Sequence, residues 1–314
     1  MIFFSKQTSV ILLYHRVSPH RDKMWDPMDI GVFENTLKYA QKRFHTISLN
    51  ELLFSPPAHS AKPLAAITFD DGYHDFLDYS IPLLQKFRLP STLFVLTDCI
   101  EKNIPTWTYL VDYLFEHSNK LEITDSIFAE LPVELQHTKW VNNNKRMEYG
   151  KRIKQYLKWI PSIKRKAIIS SLIDSFKDVE HPDGMMLSWK ELDEIKSTGI
   201  EIGSHSVTHA TLASIEDEDE LKQELEISAN ILKEKLGTIS PVFSYPCGSY
   251  NEHVKTFTRN AGYKAGLAVN GRLYNSSKDD LFEVPRIELY NQSRIKTKMR
   301  MNGTISFIEN KLKR

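Results

Sequence analysis

The stretch Leu64-Ala65-Ala66-Ile67-Thr68-Phe69-Asp70-Asp71-Gly72 runs an apolar segment straight into two adjacent carboxylates and a glycine. A short apolar run bounded by a turn signal reads as a buried strand of the kind covered on both faces in a parallel sheet. Asp-Asp-Gly on its own is an ordinary turn. A second stretch, Ile200-Glu201-Ile202-Gly203-Ser204-His205-Ser206-Val207-Thr208-His209, repeats the arrangement with two imidazoles four residues apart. Both runs set metal-ligating side chains at strand ends, where barrel enzymes keep their chemistry. One carboxylate plus two imidazoles is the ligand set of a catalytic zinc or similar divalent ion with a position left open for water. The other carboxylate is then spare, and a spare carboxylate beside an activated water is a general base.

Working outward, further apolar runs recur at 9–14, 91–97, 242–245, 263–269 and 284–290, and helical patterns fall between them at 33–44, 76–87, 188–197, 217–236 and 251–261. Alternating strand and helix predicts parallel strands with crossover helices, an α/β barrel. The chain has 314 residues, 41% hydrophobic and 26% charged, enough for a full core in a single enlarged barrel domain. A net charge of +1 argues against a generic polyanion binder, and no nucleic-acid motif is present. With only Cys99 and Cys247, no disulfide framework supports the fold. The opening residues lack a charged segment followed by an apolar one, so neither a secretory signal nor a membrane span is expected.

Residues 102–186 break the alternation and read as a helical insertion. Within 139–166 there are ten Lys or Arg against one acid, Glu148, interleaved with Trp140, Tyr149, Tyr156 and Trp159. Tyr149, Ile153, Tyr156, Leu157 and Ile160 share a helical face, while Lys151, Lys154 and Lys158 fall elsewhere. A basic amphipathic helix can lie on an anionic membrane or grip a phosphate-linked substrate; a solvated basic face with its aromatics in the core is the plainer alternative.

At these motifs the chain resembles the polysaccharide deacetylases, carbohydrate esterases that share the nodulation-type (NodB) homology domain. Thr68-Phe69-Asp70-Asp71-Gly72 and His205-Ser206-Val207-Thr208-His209 fit the family's first two motifs position by position, and the similarity spans roughly 9–100 and 185–290. The resemblance implies a deformed (β/α) TIM-like barrel, with Asp70 as base and Asp71, His205 and His209 as metal ligands. The third motif looks like Phe243-Ser244-Tyr245-Pro246-Cys247-Gly248, with Cys247 where tyrosine is commonest; the family's use of that backbone N–H to hold an oxyanion survives the change of side chain. Arg286, in Val284-Pro285-Arg286-Ile287, resembles the arginine that pairs with the base.

Amide cleavage also needs a proton for the departing amine. Many relatives carry a C-terminal histidine for this, but no histidine follows His253 here. Leu12-Leu13-Tyr14-His15 offers a replacement, because a branch of the family acting on poly-N-acetylglucosamine looks circularly permuted with its acid histidine in such an N-terminal motif. Trp107 and Trp189 are candidates for stacking on sugar rings. His74 and Asp75 read as the polar start of the helix behind the first motif.

The expectation is a metal-dependent hydrolase, using zinc or another divalent ion, that removes N-acetyl groups from an amino-sugar glycan or a lipid-linked precursor. It is expected to work in the cytoplasm, peripheral to the inner membrane face through the basic insertion. The rival readings are a deformylase or cyclic-amide hydrolase on the same fold, and a sugar-binding module that has lost turnover.

Overall fold

The computed structural model describes residues 4–306 and 308. The run Val10-Ile11-Leu12-Leu13-Tyr14 is excluded from solvent on both faces, as a strand packed between barrel interior and outer helices must be. It forms most of β1 (Thr8–Tyr14), followed by α1 (Ile30–Arg43), β2 (His45–Thr46), α2 (Leu49–Phe54), β3 (Leu64–Phe69), α3 (Ile81–Phe87) and β4 (Thr92–Val95). After β4 come α4 (Thr97–Lys102), α5 (Trp107–His117), α6 (Asn143–Leu157), α7 (Ser162–Ser175) and α8 (Trp189–Ser197). The last third adds β5 (Glu201–Ser204), α9 (Glu218–Lys222), α10 (Ser228–Leu236), β6 (Val242–Ser244), α11 (Glu252–Asn260), β7 (Ala265–Ala268), β8 (Tyr274–Asn275), β9 (Val284–Pro285), β10 (Ile287–Glu288) and α12 (Arg294–Met301).

The strands run in the order β10-β1-β3-β4-β5-β6-β7-β9, all parallel, with β2 added beside β3 and β8 antiparallel on β1. The expected strand at 284–290 is therefore two short strands. Its first half pairs with β7, its second with β1, and Arg286 stands in the break. The sheet is thus a nearly closed, deformed (β/α) barrel whose seam lies at Arg286. Ile11, Ala66, Phe94, Val242, Leu267 and Val284 cluster together, and alternation along the strands carries the same inward direction on to Asp70, Ser244 and Arg286.

Two expected helices contain wide turns. The helix behind the first motif opens as a π turn, Phe76–Ser80, and the one at 217–236 holds another at Gln223–Ile227 between α9 and α10. Such bulges commonly mark functional sites because they redirect one side chain. Residues 91–97 form a shorter strand than expected, since Thr97 already begins α4.

Between β4 and β5, α5, α6 and α7 pack around a second apolar cluster that includes Leu114, Phe115, Trp140, Ile153, Leu157 and Leu172. Gly150 permits the close approach of α6 to α5: a Cβ there would sit 2.6 Å from the Phe115 ring. No helix among the described residues is long and apolar enough to cross a membrane.

Candidate active site

Strand ends converge on one cavity of about 220 Å³ lined by His15, Asp70, Asp71, His205, His209 and Cys247. The Asp-Asp-Gly turn is held in a backbone conformation that residues with side chains rarely adopt: φ is 81° at Asp71 and 86° at Gly72. A Cβ on Gly72 would also come within 2.9 Å of Val95, so glycine is required there on two counts. Ser206, His209 and Cys247 share positive φ, so three of the residues that line the cavity, Asp71, His209 and Cys247, are in strained turns.

Asp70 is buried and its carboxylate accepts from Arg286 Nη1 at 2.8 Å and Nη2 at 2.7 Å, and from Ser244 Oγ at 3.0 Å. Burial alone would raise its pKa. The Arg286 guanidinium, helped by His205, overrides that and holds the carboxyl well below the usual carboxylate range. Arg286 is fully buried and also donates to Thr68 Oγ1 and to the Ala268 carbonyl, so it is an internal strut and not a surface ion pair.

Asp71 faces the imidazoles. Its Oδ1 lies 3.5 Å from His205 Nε2 and 3.4 Å from His209 Nε2, and no hydrogen-bond donor reaches it. His205 Nδ1 lies 2.8 Å from the Ser244 carbonyl, which can only accept, so this nitrogen carries the proton. Burial lowers the His205 pKa and lowers that of His209 well below the ordinary value, so both rings are neutral. The neutral His205 ring then points a lone pair from Nε2 at a carboxylate oxygen. Two acceptors facing each other in a buried site call for a cation between them, and the three ligand atoms lie within 4.8 Å of one another. Burial raises the Asp71 pKa, against the pull of His15 and His205.

The histidine loop is held from outside the barrel. Glu224, on the Gln223–Ile227 π turn, accepts from the backbone N–H of Val207 at 2.9 Å and of Thr208 at 3.0 Å. The Trp107 indole N–H donates to the His209 carbonyl at 2.8 Å, and the Arg165 guanidinium covers the ring 5.4 Å from its centroid. Trp107 is thus a support for His209, with a face already occupied. Trp189 donates to Glu101 at 2.6 Å and stands outside the cavity wall.

His15 closes β1, as the sequence suggested, and its Nδ1 lies 3.5 Å from Glu288 Oε1 on β10. Cys247 sits in the Pro246–Gly248 turn, where burial pushes its thiol up to about 11. Its backbone N–H donates to no carbonyl among the described residues.

Among the wall residues, Trp25, Tyr109, Asp112 and Glu288 were not foreseen; Lys154 and Lys158, noted in the basic insertion, also join this wall, whereas Lys151 does not line it. Asp75 is not simply a helix start. It is buried beside Arg16, whose Nε reaches it at 2.8 Å and whose guanidinium stacks over Trp25, Tyr73 and Tyr109. That cluster carries the Trp25 ring to His15, centroids 5.8 Å apart. The only sequence signal for it was the aromatic content of these loops.

The model of the polysaccharide deacetylase family matches residues 58–266, a span that takes in Asp70, Asp71, His205, His209 and Cys247 and leaves out His15 and Arg286. No curated protein matches the chain. Among solved structures, the fold is similar to the Streptococcus pyogenes deacetylase PplD in complex with acetate (17% identity, TM-score 0.62, covering 94% of this chain and 98% of that one). It is also similar to IcaB from Ammonifex degensii (17%, TM-score 0.59, 94% and 97%) and to a de-N-acetylase from Aggregatibacter actinomycetemcomitans (13%, TM-score 0.58, 94% and 99%). With its two motifs meeting in one buried cluster and the family model spanning most of the barrel, the chain belongs to the polysaccharide deacetylase family.

Proposed function

We propose that this protein is a metal-dependent deacetylase that removes N-acetyl groups from an amino-sugar glycan or glycan precursor. The observation that carries the reading is the unpartnered Asp71 Oδ1 set between two neutral imidazoles. Asp71, His205 and His209 would hold a divalent ion, with zinc as the expected one given two nitrogen donors and one oxygen. Bound there, such an ion supplies a Lewis acid and a water acidic enough to lose a proton near neutrality.

Asp70 is the base. Arg286 and Ser244 use three of its roughly four lone-pair positions, which leaves one on Oδ1 to take a proton from the attacking water. The water oxygen bonds to the acetamide carbon, and the Cys247 N–H steadies the charge that develops on the carbonyl oxygen. His15, oriented by Glu288, gives a proton to the sugar nitrogen as the carbon–nitrogen bond breaks; amine and acetate leave, and solvent resets both groups.

Peripheral membrane contact on the cytoplasmic side, with a lipid-linked precursor as substrate, is part of the same proposal. What supports it is the junction of α6 and the first turn of α7, where Trp159 is 59% and Ile163 82% exposed beside Lys164.

Incubating the metal-loaded protein with a panel of N-acetylated glycans and measuring released acetate tests the function. Acetate release that chelation abolishes is expected. Formate release from N-formyl sugars in place of acetate would favour the deformylase reading, and no release of either would leave a sugar-binding module.

A further inference from the structure

The basic insertion does not distribute its cations evenly. Lys145 pairs with Glu148, buried Arg146 donates to the carbonyls of Phe115 and Lys120, and Lys154 pairs with buried Asp112. Lys158 is different. It caps the C-terminal end of α6, is half-buried in the wall of the cavity that holds Asp71, His205 and His209, and forms no ion pair among the described residues.

Other charges around that cavity have partners: Asp70 has Arg286 and Asp112 has Lys154, while Glu288 lies 3.5 Å from His15 Nδ1. Asp71 faces the histidines and would be matched by the ion they hold with it. Lys158 makes no ion pair of its own among the described residues and shares the influence of Asp112 with Lys154. Asp112 is paired with Lys154, so this wall holds two ammonium groups against one carboxylate and has one positive charge in excess for a ligand to meet. Lys158 lines the same cavity wall as His209 and Cys247.

We propose that the sugar unit deacetylated here carries an anionic substituent, a phosphate ester or a carboxylate, which docks on Lys158 while its acetamide lies at Asp71, His205 and His209. The proposal rests on the deacetylase reading above and narrows its substrate class. Lys154 is held by Asp112 on the same wall, so the cation left to meet a ligand is Lys158.

The test compares N-acetylglucosamine 1-phosphate, an N-acetylated disaccharide bearing a uronic acid, and a neutral N-acetylglucosamine oligomer, each with the wild type, Lys158→Gln and Lys158→Arg. The wild type is expected to favour an anionic substrate in kcat/KM, and Lys158→Gln to lose about tenfold of that preference through KM, as the loss of one charge-assisted hydrogen bond implies. Lys158→Arg should restore it. The anion whose preference falls further identifies the source. The same three compounds are titrated calorimetrically into each protein, so that binding is read even where no acetate appears. Absence of acetate from every substrate would count against the deacetylase reading alone. Equal affinity of wild type and Lys158→Gln for both anionic compounds, or a wild-type preference for the neutral oligomer, would overturn the anionic-substrate proposal.

Discussion

Arg286 grips Asp70 with both terminal guanidinium nitrogens, Nη1 on one carboxylate oxygen and Nη2 on the other, although the two residues lie 216 positions apart. The clamp sets the charge of the base. With the folded-state pKa depressed, ionised Asp70 contributes stability above the carboxyl's unfolded value and loses it only as the pH falls through the depressed value. Asp70 therefore stays ionised across the working range. In Arg286→Gln, burial is no longer opposed, the pKa rises, and the acid limb of the kcat/KM profile should move to higher pH. A profile that keeps its acid limb in place would show that Arg286 does not tune the base.

Base and ligand separate by substitution. Asp70→Asn should keep its metal and lose at least about 100-fold in turnover, the lower end of what a general base contributes. Asp71→Asn should instead bind metal more weakly. Elemental analysis and acetate release on both variants check the division, which fails if the two hold metal and turn over alike.

His15→Gln should preserve fold and metal while depressing turnover on the N-acetyl substrate. It should lose much less on an acetate ester with a good leaving group, since such an alcohol departs without an acid. Equal losses on amide and ester would assign His15 a structural or binding role.

Glu224 touches no reacting atom, yet it fixes the loop between the two histidines. Glu224→Ala leaves two half-buried N–H groups without their acceptor and should weaken metal binding by roughly 10- to 100-fold, the range seen when groups behind a ligand are removed. A metal titration that matches the wild type would refute this.

For the membrane contact, Trp159→Ser with Ile163→Ser should abolish sedimentation with vesicles rich in anionic lipid and leave hydrolysis of a small soluble substrate in place. Unchanged sedimentation would return this turn to ordinary solvent exposure.

How legible was all this in the chain? Strand ends announced Asp70, Asp71, His205 and His209, because a buried parallel strand is a continuous apolar run and the chemistry begins where the run stops. Cys247 and Arg286 were found through motif resemblance, and the seam at Arg286 was not, since Val284-Pro285-Arg286-Ile287-Glu288 reads as one strand until the partners on either side are known. The cavity wall was less legible still. Lys154, Lys158, Asp112 and Trp25 reach the site through the docking of two inserted helices and a loop against the barrel; the helical period at 149–160 was readable, but not which wall its lysines would join. Trp107 looked like a sugar platform because side-chain type does not say what covers its face.

The seam has a mechanical side as well. β9 is sewn to β7 and β10 to β1, so Asp70 is clamped only while those two edges stand together around Arg286. A chain that breathes open at this line loses its carboxylate clamp before it loses its secondary structure, and disarms itself without unfolding. Conversely, whatever spans the mouth between His15, at the end of β1, and Cys247, after β6, bridges strands on the two sides of the seam. Substrate would then act as a buckle, lending rigidity in proportion to how tightly it is held.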